Sequence, residues 1–254
     1  MNFMDEASQQ LDESRRGGRR VAFFGGSFDP PHLGHLAVAR AARDAFKLDT
    51  VLFAPVGAQP LKMALKINGP TASFADRVEL TRLAIADEPG FAVSLSDAPK
   101  PSGAPNYTID TLLALRAELP LDAALFCLMG ADSFFGLRQW HRAAEIPFVA
   151  PLIVASRPSE QPQLDLKAAL PAGLSIEALP GCDGITSGVE VRSYLVQNPA
   201  GEQTHLYLLP GLDVEISASE IREQVRASLG DLTAGHRVLP DSVLEAIRAR
   251  GLYQ

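Results

Sequence analysis

The chain has 254 residues, a formal net charge of −7 at pH 7 and two cysteines. This acidic balance offers no basic stripe for nucleic acid, so we expect no nucleic-acid partner. No apolar stretch reaches the roughly 18 residues that cross a bilayer, and the polar N-terminus has no apolar leader, so we expect no membrane partner and a cytoplasmic location. Cys127 and Cys182 have no metal-type spacing and are expected to be reduced and structural.

Short apolar runs alternate with amphipathic segments from about residue 19 onward. The pattern predicts strands over 20–24, 50–54, 91–95, 123–129, 152–155 and 206–209, and helices over 34–46, 73–86, 108–118 and 132–139. Continuously apolar strands between helices are typical of a parallel sheet that is covered on both faces. We therefore predict an α/β fold with a doubly wound parallel sheet, whose ligands bind at the carboxyl ends of the strands.

The remaining segments are predicted as a tail, an elaboration and a lobe. Residues 1–18 are polar and have little to bury, which predicts a disordered N-terminal tail before a domain over 19–254. Prolines and glycines interrupt the pattern at about 158–204. This segment is predicted to be a loop-rich elaboration with an extra strand over 189–196 at the sheet edge. Capping-box spacings predict helices in a small helical C-terminal lobe from about residue 217.

The segment between the first strand and the first helix has the strongest chemical signal, and it reads Gly25-Gly26-Ser27-Phe28-Asp29-Pro30-Pro31-His32-Leu33-Gly34-His35. Glycines at such a crossing let the backbone approach a ligand, and the helix N-terminus attracts anions. His32 and His35 lie one helical turn apart and can donate to the same phosphate. Two alternatives stay open: the histidines cap the helix or enter the core, or they bind a metal together with Asp29.

This segment resembles the signature of the nucleotidyltransferase superfamily, and its Phe28-Asp29-Pro30 form is most similar to the bacterial nicotinate-mononucleotide adenylyltransferases. The resemblance implies a Rossmann-like nucleotidyltransferase fold and transfer of the adenylyl group from ATP to nicotinate mononucleotide in NAD biosynthesis. The implied partners are these two small molecules, with Mg²⁺ carried by ATP and no metal held by the protein. The sequence leaves open whether copies of the chain form a homo-oligomer.

Three further segments extend the resemblance. One is Ile216-Ser217-Ala218-Ser219-Glu220-Ile221-Arg222, which is similar to the family's Ile-Ser-Ser-Thr-x-x-Arg. Another is Gly130-Ala131-Asp132-Ser133 with Trp140 downstream, similar to Gly-x-Asp and a tryptophan. The last is Asn106-Tyr107-Thr108-Ile109-Asp110-Thr111-Leu112, similar to Ser-Tyr-Thr-x-Asp-Thr-Leu. Ala218 and Asn106 depart from the pattern, since each replaces a hydroxyl.

The resemblance implies a role for each matching residue. The catalytic residues are His32, His35 and Arg222. ATP-binding residues are Gly25, Gly26, Ser27, Phe28, Gly34, Gly130, Asp132, Ile216, Ser217 and Ser219. Residues that bind nicotinate mononucleotide are Lys62, Tyr107, Thr108, Asp110, Trp140 and Arg157. Alternatives stay open here too: Trp140 in the core, and Thr108 or Ser217 as an ordinary helix cap.

Three cations in matching positions, Lys62, Arg77 and Arg157, either contact phosphate or are solvated surface residues. Two alternative functions also stay open. One is phosphopantetheine adenylyltransferase, which normally has threonine where His32 stands. The other is a catalytically inactive nucleotide-binding regulator, although both histidines and Arg222 are present.

Overall fold

The computed structural model describes residues 18–60, 71–156, 165–179, 183–210, 218–227 and 238–253. Its strands are β1 (Arg20–Gly26), β2 (Thr50–Pro55), β3 (Phe91–Val93), β4 (Ala124–Gly130), β5 (Leu152–Ala155), β6 (Ser175–Ala178), β7 (Gly184–Thr186), β8 (Val189–Gln197) and β9 (Gln203–Leu209). Its α-helices are α1 (Leu33–Phe46), α2 (Phe74–Ala84), α3 (Thr108–Glu118), α4 (Ala131–Phe135), α5 (Ile146–Val149), α6 (Leu166–Ala169), α7 (Ala218–Ala227) and α8 (Asp241–Arg250). All of the predicted tail except Gly18, and the predicted site residues Lys62, Arg157, Ile216 and Ser217, lie outside the described residues.

The strands form a mixed sheet in the order β3-β2-β1-β4-β5-β9-β8-β6, with β7 paired to β8. The strands from β3 to β9 in this order run parallel, and β8, β6 and β7 add antiparallel pairings beyond β9. The parallel part has the strand order of a doubly wound dinucleotide-binding fold, with β9 in the sixth place. The predicted α/β fold is confirmed.

Each face of the sheet has its own apolar core. In β1, Ala22 and Phe24 belong to the core on one face, whereas Val21 and Phe23 belong to the core on the other. Helices α1, α2 and α8 contribute to the first core, and α3 and α4 contribute to the second. A strand that packs on both faces must be apolar throughout, which explains the unbroken apolar run at the start of the fold.

Two predicted elements are worth comparing with the structure. The helix predicted over 132–139 is instead α4 followed by a 3-10 turn (Leu137–Gln139), because the chain breaks the helix at Gly136. The strand predicted over 189–196 is present as β8, where it pairs with β9. Within the described parts of the chain, no helix is both long and apolar enough to cross a membrane.

The strand order reverses between β1 and β4, which are direct neighbours in the sheet. These strands end at Gly26 and Gly130, the first of which opens the predicted phosphate segment. In doubly wound folds, ligands bind in the crevice at such a switch point. The fold therefore directs attention to the carboxyl ends of β1 and β4.

Candidate active site

The turn after β1 is packed too closely for side chains at its glycines. A Cβ on Gly25 would come within 2.8 Å of the Phe23 ring, and one on Gly26 would come within 3.2 Å of the Phe28 ring. Phe28 is 1% exposed and has a φ of +46°, so the chain turns sharply while this ring stays in the core. The backbone of Gly25 and Gly26 consequently forms part of a cavity wall.

The two predicted histidines lie side by side at the start of α1, with ring centroids 3.8 Å apart. The backbone N–H of His32 donates to Nδ1 of His35 at 3.2 Å, so the neutral His35 ring carries its proton on Nε2. Burial, and next the neighbouring His32, hold the pKa of His35 well below its ordinary value. His35 is thus a neutral donor in the free protein, although part of its side chain reaches the surface.

Arg222 joins α7 to the turn that precedes the histidines. Its Nη1 donates to the backbone oxygen of Asp29 at 2.6 Å, across 193 positions of sequence, and its Nη2 donates to Ser219 Oγ at 3.0 Å. The predicted Arg222 segment therefore meets the predicted histidine segment at the residue three positions before His32.

The Asp29 carboxylate is occupied by bonds that sequence reasoning did not find. Oδ2 accepts from the Thr71 N–H at 2.6 Å, and Oδ1 accepts from the Ala72 N–H at 3.1 Å and from the Tyr253 hydroxyl at 2.8 Å. Among the described residues, no group of three His, Cys, Asp or Glu side chains is arranged to hold a metal. The Asp29 carboxylate thus already has three protein donors, and it does not form a metal-type cluster with the two histidines.

Arg77 is neither a solvated cation nor an open phosphate ligand, because only 2% of it is exposed. Its Nη1 donates to the Ser27 backbone oxygen at 2.7 Å and its Nη2 to the Val56 backbone oxygen at 2.8 Å. Burial lowers its pKa. Arg77 thus ties the turns after β1 and β2 together. The signal in the sequence is its place in the buried stripe of α2, one turn before Thr81.

A cavity of about 550 Å³ opens at the switch point between β1 and β4. Its walls include six of the predicted site residues, Gly25, Gly26, Tyr107, Thr108, Asp132 and Trp140. The Trp140 side chain is half-buried and also packs against the second core. The structure thus brings the glycine turn together with both segments that were predicted for the acceptor.

Helix α3 presents its N-terminus to this cavity. It begins at Thr108, and Tyr107 is its N-cap residue. The Tyr107 side chain makes no capping hydrogen bond to the first turn. Thr108 is therefore not the helix cap, and this alternative is wrong. Because the first N–H groups of an α-helix have no intrahelical partner, an uncapped N-terminus that borders a cavity offers donors to an anion.

Asp110 is not among the residues that line the cavity. It is exposed, and its carboxylate lies 3.9 Å from Lys100 Nζ and 4.0 Å from Arg142 Nη1. Asp110 is the third residue of α3, and its carboxylate is near these two cations. Its predicted contact with the mononucleotide finds no support in this geometry.

Asp97, which sequence reasoning missed, is buried in the cavity wall. It is 4% exposed, accepts the Thr111 hydroxyl bond on Oδ1, and its backbone oxygen accepts from the Gly57 N–H at 2.7 Å. Burial raises the pKa of Asp97, and burial together with the Asp97 charge raises the pKa of Cys127 to about 12. The only signal in the sequence is a polar residue shortly after β3, at the carboxyl edge of the sheet.

The other predicted ATP-binding residues surround the same edge. Ser27 Oγ accepts from the Gln59 amide at 2.7 Å, and Gly34 is buried in the first turn of α1. Gly130 caps α4, and a Cβ there would have open space around it. Phe28 is a core residue, so only its backbone is placed to meet a ligand.

The sequence matches the family model described as cytidylyltransferase-like over residues 23–224. The chain therefore belongs to this family and is a nucleotidyltransferase. A protein of Gloeobacter violaceus, described as a "Probable nicotinate-nucleotide adenylyltransferase", is 36% identical over 236 residues, which are 93% of this chain and 97% of that protein. A protein of Aeromonas salmonicida with the same description is 36% identical over 92% of this chain and 97% of its own. The chain belongs with them to the nicotinate-nucleotide adenylyltransferases.

Solved structures show the same fold. Plasmodium falciparum nicotinic acid mononucleotide adenylyltransferase complexed with NaAD has a TM-score of 0.63 to this chain at 14% identity, over 93% of this chain and 98% of that one. At this identity the likeness concerns the fold. It agrees with the strand order described above.

Proposed function

We propose that the chain transfers the adenylyl group of ATP to nicotinate mononucleotide, giving nicotinate adenine dinucleotide and pyrophosphate. The observation that carries this proposal is the cavity at the switch point. The turn that walls it at Gly25 and Gly26 leads to the histidines, while the α3 N-terminus and Trp140 form other parts of its wall. The reaction belongs to NAD biosynthesis, and we assign it to the cytoplasm.

The chemistry requires positioning and charge stabilisation. A phosphate oxygen of the mononucleotide attacks the α-phosphorus of ATP, and the bond from that phosphorus to the bridging oxygen of pyrophosphate breaks. The attacking phosphate is largely ionised at neutral pH because its second pKa is about 6, so no general base is needed. This agrees with a site whose histidine at position 35 is a donor.

The donor end holds the triphosphate. His35 offers Nε2–H to the charge that develops at the α and β phosphates, next to His32, and Arg222 offers its guanidinium to the β and γ phosphates. Other ATP contacts come from Gly25, Gly26, Ser27, Phe28, Gly34, Gly130, Asp132, Ile216, Ser217 and Ser219. Mg²⁺ enters with ATP and takes its ligands mainly from phosphate oxygens and water.

The acceptor end holds the pyridine mononucleotide. Trp140 stacks on the pyridine ring, since an indole face suits a flat electron-poor ring. The N–H groups at Tyr107 and Thr108 receive the nicotinate carboxylate at the start of α3. Lys62 and Arg157 bind the mononucleotide phosphate.

Pyrophosphate release with ATP and one acceptor at a time tests the proposal. The acceptors are nicotinate mononucleotide, its amide and phosphopantetheine, and we expect turnover with the first. Preferred turnover with phosphopantetheine would assign the chain to that enzyme instead. ATP binding without turnover of any acceptor would indicate an inactive nucleotide-binding regulator.

His35→Ala is the variant that tests the chemistry. Losing one donor to transition-state charge lowers kcat by about a hundredfold or more. His205→Ala is the control, because His205 lies on β9, which β4 and β5 separate from β1 in the sheet. A His35→Ala enzyme within a few-fold of wild type would exclude this role.

A further inference from the structure

We propose that Tyr253, which follows α8, is a positioning residue of the ATP site: its hydroxyl holds the Asp29 carboxylate so that Arg222 stays available to the triphosphate. The inference rests on the proposed function, because it assigns a residue that serves the same phosphate turn. It is carried by three sets of contacts around Asp29.

The Asp29 carboxylate is buried, with 3% exposure, so its charge must be met by the protein. Two backbone N–H groups, from Thr71 and Ala72, and the Tyr253 hydroxyl supply three donors at 2.6 to 3.1 Å. Tyr253 supplies the only one of these three donors that belongs to a side chain. Replacing tyrosine by phenylalanine therefore removes one donor and leaves the backbone donors in place.

Arg222 forms an ion pair with this carboxylate that is too long to be a hydrogen bond. The distance from Arg222 Nη1 to Asp29 Oδ2 is 3.8 Å, whereas the same Nη1 lies 2.6 Å from the backbone oxygen of Asp29. The guanidinium is thus oriented by a neutral carbonyl. Arg77, another cation near Asp29, has both Nη groups on the carbonyls of Ser27 and Val56.

The fold places Tyr253 at Asp29 by a sharp turn after α8. Gly251 ends α8 in the left-handed conformation with φ +61°, and Tyr253 itself has φ +67°. The Tyr253 ring is 4% exposed and belongs to the first core. Burial, followed by the Asp29 charge, raises the pKa of Tyr253, so this residue remains a hydroxyl donor.

Removal of the hydroxyl leaves Oδ1 of Asp29 with the Ala72 N–H alone. A buried carboxylate that loses a donor is expected to shorten its ion pair with Arg222, which spans 3.8 Å with the hydroxyl in place. The shortened, hydrogen-bonded ion pair must be broken before Arg222 reaches a phosphate. ATP binding weakens as a consequence, whereas the mononucleotide end of the cavity stays intact.

The test compares full-length wild type, Tyr253→Phe and the control Tyr194→Phe, which removes the same atom from β8. For Tyr253→Phe we expect the Kd for ATP, measured by calorimetry, and the KM for ATP to rise about tenfold. The KM for the mononucleotide should stay within twofold. An unchanged Kd for ATP, or an equal loss in both substrates, would overturn the proposal.

A double-mutant cycle separates positioning from a general loss of structure. If Tyr253 acts through Arg222, then adding Tyr253→Phe to Arg222→Ala changes the Kd for ATP less than twofold, and independent effects that multiply would refute it. Turnover by wild type decides the proposed function separately. If wild type binds ATP without turnover, the calorimetric cycle still decides the role of Tyr253.

Discussion

The two ends of the proposed site are built by different kinds of contact: the donor end is the turn after β1, and the acceptor end is the cavity wall formed by the start of α3 and Trp140. At the donor end, Arg77, Arg222 and Tyr253 reach the turn after β1 across 50, 193 and 224 positions of sequence. At the acceptor end, an uncapped helix start and a half-buried Trp140 face the cavity. The turn that we propose for the reacting phosphates is thus fixed by long-range bonds, whereas the wall that we propose for the acceptor offers backbone donors and an aromatic face.

The largest effect on stability and activity is expected from a substitution of Arg77. Arg77→Met removes the donors to the part-buried carbonyl of Ser27 and the buried carbonyl of Val56, so we expect the free energy of unfolding to fall by about 3 kcal/mol and kcat/KM by more than tenfold. Denaturant unfolding and pyrophosphate release measure both effects. Arg82→Met is the control on the same helix, because its side chain is 56% exposed.

Adding guanidinium to the Arg77→Met protein tests whether the lost hydrogen bonds cause the loss of activity. If the lost bonds to the two carbonyls limit activity, the small cation should restore part of kcat/KM without a matching effect on wild type. Wild-type activity in Arg77→Met would show that the turn after β1 does not need this tie, and the contrast between the two ends would fail.

The contacts at the two ends could not be predicted equally well from the sequence. The doubly wound sheet and the cavity residues on β1, α3 and α4 were predictable, because periodicity and turn chemistry are local properties. The bond of Tyr253 to Asp29 was not, because its partners lie 224 positions apart and neither belongs to a periodic pattern. Asp29 was considered as a metal ligand for the same reason, since its three donors cannot be read from its neighbours in the chain.

Asp110 and Asp97 show two different limits of reasoning from the sequence. Asp110 belongs to a segment that resembles the family, yet the helix carries it to an exposed position beside Lys100 and Arg142. Asp97 belongs to no motif, yet the turn after β3 buries it in the cavity wall. A sequence match locates a segment, and only the helical phase and the loop path decide which side chain reaches the site.

A smaller effect is expected at the acceptor end. Trp140→Ala should raise the KM for nicotinate mononucleotide about tenfold, since a stacked aromatic pair contributes about 0.5–1.5 kcal/mol beyond its buried area. The Kd for ATP should stay within twofold, because Trp140 is not bonded to the turn after β1. Phe135→Ala, at a 38% exposed position on α4, is the control. An equal rise for both substrates would mean that the two ends are not independent.

The smallest expected effect is a difference in how stability depends on pH. The pKa of His35 is lowered in the folded protein, so between that pKa and the ordinary value near 6.5 the unfolded chain binds more protons. Stability therefore falls as the pH drops below about 6.5, by at most about 1.4 kcal/mol per pH unit, and His35→Gln should remove this loss. Denaturant unfolding of both proteins between pH 5 and 7 measures the difference.

The pKa shift of Asp97 changes stability with pH in the opposite direction to that of His35. The two contributions are separated by comparing variants. Burial raises its pKa in the folded protein, so the folded state binds more protons above the ordinary carboxyl range, and stability falls as the pH rises there. Asp97→Asn should therefore lose stability less steeply than wild type as the pH rises from 4, while His35→Gln loses less as the pH falls from 7. Parallel profiles for wild type and His35→Gln would show that the pKa of His35 is not lowered in the folded protein, and burial could then not be what keeps its ring neutral.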